Sequence, residues 1–99
     1  MAEGKLKPIH PGEVLSEEFL KPFGISADDL AKSIGIQAKN VEEIVSGNAE
    51  INADIALRLA KYFGTSAQFW LGLQSDYDLD VTRETLGDRL EKEIVPLAA

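Results

Sequence analysis

Apolar residues recur along this chain at helical spacing. Val14, Leu15, Phe19 and Leu20 share one face of a first segment that Pro11 opens and that Pro22 and Gly24 close. A second segment starts at Ser26, a side chain suited to capping, with Asp28 and Asp29 at its positive end. Ile25 and Leu30 are spaced as a hydrophobic staple across that start. Gly35 ends the segment after barely two turns, and Ala38 to Ser46 form the next, with Gly47 as a left-handed terminator. Asn52 caps a fourth run, in which Ile55, Ala56, Leu59, Ala60 and Phe63 repeat before Gly64. Ser66 caps a fifth, carrying Phe69, Trp70, Leu73 and Tyr77. Leu86, Leu90 and Ile94 mark a short sixth helix that Pro96 breaks. No segment alternates with period two long enough for a strand. The pattern predicts an all-α chain: an N-terminal arm over 1–10, a five-helix domain over 11–80 and a helical tail over 81–99.

The second and third segments have the register of a helix-turn-helix. Counted from Ala27, Leu30 is fourth, Ala31 fifth, Ile34 eighth, Gly35 ninth, Ile36 tenth, Val41 fifteenth and Ile44 eighteenth. Two closely crossing helices need a small residue at the crossing, here Ala31. The tight turn needs a residue that tolerates positive φ, here Gly35. The larger aliphatic side chains hold the later helix against the rest.

The outward side of that later helix falls to Gln37, Ala38, Lys39, Asn40, Glu42, Glu43 and Ser46. Gln37 and Asn40 are amides able to pair with adenine, Lys39 can serve guanine or phosphate, and Ala38 can touch a thymine methyl. Lys32 and backbone groups near helix starts are candidates for phosphate. The acids cut the other way. From Ser26 to Glu50, two lysines stand against Asp28, Asp29, Glu42, Glu43 and Glu50, a net of −3. Glu42 or Glu43 can accept from cytosine N4, but neighbours on a helix point about 100° apart, so both cannot.

Charge and composition narrow the function classes. The net charge of −7 argues against sequence-blind nucleic-acid binding and suits a basic protein partner. There is no cysteine, which fits a reducing, cytoplasmic setting, and no run resembles a membrane span or a secretory leader. Asp76, Asp78 and Asp80 invite a calcium reading, yet Val81 and Gly87 stand where a calcium loop needs Gly and Glu. His10 has no cysteine or second histidine beside it, so no zinc site is expected. No nucleophile–base pair or glycine-rich phosphate loop is present, and neither catalysis nor a cofactor is expected. Trp70, Leu73 and Tyr77 are candidates for a dimer seam, with Phe69 expected in the core and Trp70 divided evenly between core and interface.

At "HPGEVLSEEFLKPFGIS" and "NADIALRLAKYFGTSAQFWLGLQSDYDL", with the helix pair between them, the chain resembles the HigA/VapI-type antitoxins. These belong to the lambda-repressor-like (XRE) helix-turn-helix superfamily. The likeness covers roughly residues 8 to 80. It implies a five-helix DNA-binding domain that dimerises on a palindromic operator. It also implies an antitoxin that represses its own operon and neutralises an mRNA-cleaving HigB-type toxin. By position, the reading helix of such proteins maps onto Gln37 to Ser46, and their phosphate-contacting loop onto Gly47 to Ile51, which contains Asn48. Relatives usually place Arg, Asn or Ser where Glu42 and Glu43 stand here, and often Lys or Arg where the loop has Asn48, Ala49 and Glu50. The residues alone leave two readings open: a regulator that reads bases through Gln37, Lys39 and Asn40, and a protein-binding module whose acidic helix faces a basic partner such as a toxin.

Overall fold

A computed structural model describes residues 7–98. Most of the arm expected over 1–10 therefore lies outside the described residues, as does Ala99. Within them the chain is helical, with no strand.

Helix α1 covers residues 11–23 in three consecutive segments, Pro11–Val14, the π-wound Leu15–Leu20 and Lys21–Phe23. Its wide winding answers Pro22. That residue has no N–H to donate, and its ring crowds the carbonyl four residues back. Widening the preceding turn, where Lys21 N–H reaches Ser16 O, lets the helix continue. Pro22 thus sits inside the last turn, and only Gly24, at φ 66°, ends the helix.

Helices α2 (Ala27–Ile34), α3 (Ala38–Val45), α4 (Ala53–Phe63), α5 (Ala67–Leu86) and α6 (Arg89–Glu93) follow. The expected caps form: Ser26, Asn52 and Ser66 each accept from the backbone N–H three residues on, at 3.0, 2.9 and 3.0 Å. The principal packing is α2 on α3 and α4 on α5, with α1 laid against α3 and α5. Leu15, Leu20, Leu30, Ala31, Ile34, Val41, Ile44, Ile51, Ala56, Leu59 and Trp70 form one core.

Trp70 is its largest member, with 0% exposure. Its indole N–H donates to Thr65 Oγ1 at 2.8 Å, so its burial leaves no orphan donor. Phe19 and Phe69 stand 4.9 and 5.0 Å from it, ring to ring. Phe69 itself is 39% exposed, against the core place expected for it, while Trp70, divided between core and interface, lies in the core. The indole is wide enough to reach the core centre from its place on α5, while Phe69, one residue earlier, points about 100° away.

The tail departs from expectation. Helix α5 runs unbroken from Ala67 to Leu86, so the boundary expected after Asp80 falls inside a helix. Its buried residues are Trp70 and Gln74 alone, and its later half projects from the core. Helix α6 is short, and Leu90 and Ile94 lie exposed. The molecule is accordingly long, 51 × 30 × 22 Å.

Helices α1 and α3 meet at Gly12. A Cβ built there would overlap the Ile44 carbonyl oxygen and crowd Val45. Both neighbours are helix backbone, which cannot yield locally. Gly12→Ala should therefore destabilise the chain by about 3 kcal/mol, read as a lower urea midpoint at unchanged slope. An unchanged midpoint would place α1 elsewhere.

Candidate nucleic-acid interface

The helix pair is built as its register predicts. Gly35 closes α2 at φ 76°, a left-handed conformation that a side chain would strain. Its N–H and that of Ile36 both donate to Ala31 O, at 2.9 and 3.0 Å. Leu30 and Ala31 are buried at the crossing. A residue from outside the pair completes the turn. Arg58 on α4 donates Nη1–H to the Ile34 carbonyl at 2.8 Å and lies 3.4 Å from the Gly35 carbonyl. Asp54, one turn earlier, pairs with the same guanidinium through Nε. These carbonyls are the orphan acceptors at the negative end of α2, where a cation is favoured. The Asp54–Arg58 spacing was visible in the sequence. The carbonyls it serves, 24 and 23 residues away, were not.

Beyond the turn, α3 offers its leading residues outward. Gln37 occupies the N-cap position but makes no side-chain cap bond, so its amide is free. Gln37, Lys39 and Asn40 are exposed and Ala38 is half-buried, while Val41 and Ile44 seat the helix on the core. Lys32 is exposed in the last turn of α2.

The two acids of α3 separate as helical geometry requires. Glu42 is exposed and lines an open groove with Lys21, Ser26 and Ser46. Glu43 is half-buried one turn beyond Lys39, on the same outward face. The far end of α3 is ordered by its own loop. Asn48 and Ala49 N–H both donate to Glu43 O, at 2.8 and 3.1 Å. Ser46 Oγ donates to the same carbonyl at 3.1 Å, and Asn48 Nδ2 donates to Ser46 Oγ at 3.1 Å. Ser46 and Asn48 thus stand together at the trailing end, about 12 Å along the axis from the leading turn.

His10 was expected merely to lie in the arm. It instead caps α1, its Nδ1 accepting from Gly12 N–H at 2.9 Å. Its ring meets Tyr77 edge-on at 4.8 Å between centroids, and it stands against the loop after α3, where a Cβ at Gly47 would lie 3.9 Å from it. The arm, the loop after α3 and α5 therefore meet at this imidazole. The lone His preceding Pro11 was the available signal, since a cap is favoured just before a first-turn proline.

The dimer candidates divide. Trp70 is sealed within a single chain and has no surface to offer a second copy. Leu73 and Tyr77 are half-buried, and Phe69, Leu71 and Leu79 are exposed along the same helix. Of the two places open to Trp70, the core is the one it takes, because in so small a domain the indole is needed to fill the centre. Asp76, Asp78 and Asp80 lie on a helix, where residues two apart diverge, and among the described residues no three or more acids or histidines are gathered so as to hold a metal ion. No helix of the described residues is long and apolar enough to cross a membrane.

A core of short capped helices around a glycine-turned, arginine-clamped pair defines a helix-turn-helix protein. The family model for the helix-turn-helix matches residues 17–70, and the chain belongs to that family. Virulence-associated protein I of Dichelobacter nodosus is 46% identical over 82 residues, covering 83% of this chain and 76% of its own. Antitoxin HigA-1 of Vibrio cholerae is 36% identical, over 84% of this chain and 78% of its own. Among solved structures, the Pseudomonas aeruginosa antitoxin HigA with the higBA promoter superposes at a TM-score of 0.89. It is 48% identical, covering 93% of this chain and 100% of its own.

Burial holds the His10 imidazole below its ordinary 6.5, although the Ala49 backbone and the Asp78 charge both favour the charged form. The unfolded chain then takes up this proton more readily than the folded one. The His10 contribution to stability is full above 6.5 and is lost as pH falls through 6.5 toward the lower folded value. Wild type should therefore lose stability between about pH 7 and pH 5 relative to His10→Asn, whose amide can cap without titrating. Parallel urea midpoints for the two proteins across that range would contradict the assignment.

Proposed function

We propose that this chain is a sequence-specific DNA-binding transcriptional regulator, acting as the antitoxin of a HigBA-type toxin–antitoxin pair. On this reading it binds a palindromic operator as a homodimer and represses its own operon. The observation that carries it is the leading turn of α3: Gln37, Lys39 and Asn40 are exposed, and the Gln37 amide makes no cap bond, on a helix braced by the core. The named relatives support the antitoxin role, and the promoter in the HigA structure supports the DNA target.

Recognition follows from the side-chain chemistry. Asn40 and Gln37 present amides suited to the N6 and N7 edge of adenine, Lys39 a donor for guanine O6 and N7, and Ala38 a methyl for thymine. Glu43 adds an acceptor for cytosine N4 one turn further on. Lys32 and Asn48 provide donors for phosphates on either side, which set register without reading sequence, and Ser46 holds the Asn48 amide in place. Two copies joined along α5 through Leu73 and Tyr77 would place their reading helices about 34 Å apart, one turn of the duplex. The toxin partner would be basic, matching a chain of net charge −7.

A mobility-shift titration with the duplex upstream of the chain's own reading frame tests this reading. The expected result is a saturable shift that weakens as salt rises. Asn40→Ala should cost about 1–3 kcal/mol and relax the sequence preference at one position of each half-site. Glu42→Gln should instead tighten binding about two- to threefold at low salt, since it removes a negative charge from the helix that approaches the duplex. No shift by wild type at any salt concentration would overturn the proposal.

A further inference from the structure

Gln74 is the one polar side chain in the buried set of the described residues, 6% exposed on α5. Its Oε1 accepts from Ile51 N–H at 2.7 Å, and its Nε2 donates to Asp78 Oδ1 at 3.0 Å. An amide can face either way. The Asp78 carboxylate accepts only, so it holds the nitrogen on its own side and turns the oxygen toward Ile51. Ile51 is buried and ends the loop that leaves α3. That loop moves with the helix, because Asn48 and Ala49 are both bonded to Glu43 O. Tyr77, between Gln74 and Asp78 on α5, meets His10, whose ring stands against Gly47 of the same loop. One face of α5 therefore grips the exit of α3.

We propose that Gln74, oriented by Asp78, is a positioning residue for operator binding, latching the loop over residues 47–51 and the trailing end of α3 to α5. It touches no base. It sets the pose in which the loop and α3 meet the duplex, and it makes that pose depend on whatever holds α5. The inference rests on the DNA-binding reading above.

Asp78 is exposed, so its replacement leaves the core intact. Asp78→Asn and Asp78→Ala remove the same charge, but only asparagine keeps an oxygen for Gln74 Nε2. Field effects alone make both variants bind the upstream duplex slightly tighter than wild type, and equally. The latch instead predicts that Asp78→Ala binds about three- to tenfold more weakly than Asp78→Asn, with a shallower salt dependence. Ile51 amide exchange should quicken in the alanine variant alone, while both melt as cooperatively as wild type. Gln74→Met, which leaves Ile51 N–H without an acceptor, should weaken binding further. Equal affinities for Asp78→Ala and Asp78→Asn would overturn the latch while leaving the regulator standing. A wild-type chain that never shifts the duplex would overturn both.

Discussion

Helix α3 is eight residues long, and a helix that short has no stability of its own in water. Its buried residues are Val41 and Ile44 alone, because most of its circumference must stay free. Its orientation therefore depends on how its two ends are held. At the entry, Gly35 turns the chain through a left-handed conformation and Arg58 ties the Ile34 carbonyl to α4. At the exit, Ile44 lies against Gly12 of α1, and the following loop is bonded to Gln74 and packed against His10. Bracing at the ends allows a rod to be both exposed and rigid. A surface that must fit a groove to within a hydrogen bond needs both properties.

The acidity of the chain is less of an obstacle than its sum suggests. Many carboxylates are committed locally. Glu17, Asp54, Asp80, Asp88 and Glu93 pair with cations three or four residues away on their own helices. Asp28 and Asp29 sit in the first turn of α2, where the helix dipole favours them. These exposed pairs add little stability but cancel field near their source. Much of the remaining excess lies on the projecting half of α5 and on α6, away from the leading turn. Beyond about 8 Å at physiological ionic strength its effect on a phosphate is screened. Glu42 and Glu43 are the exceptions, because they share α3 with the reading side chains. They make affinity conditional on the operator, which favours specificity over raw attraction.

The projecting half of α5 gives the molecule its length. Leu79 is exposed on it, and Leu90 and Ile94 are exposed beyond it. The same helix carries Trp70, which fills the core, and Gln74, which reaches the loop beyond α3. Core, loop and outer surface are thus joined through one rod, so a contact made far along α5 is mechanically linked to the pose of α3.

The sequence by itself determined the helices, their caps and the paired crossing. Those features are local: a hydroxyl or amide before a helix, a glycine after it, aliphatics every three or four residues. Such signals act within one turn of chain, so they can be read without knowing what lies opposite. The leading turn of α3 was legible for the same reason, since Val41 and Ile44 settle which side must face inward. Only the tertiary structure decided that Trp70 and not Phe69 fills the core, that α5 passes through Asp80 to Leu86, and that Arg58, His10 and Gln74 hold the ends of α3. Each of those depends on partners about twenty or more residues away, or on how much volume the core leaves to fill. A buried amide and an exposed one look alike in a sequence. The difference between them is a carbonyl or an N–H that the fold brings within 3 Å.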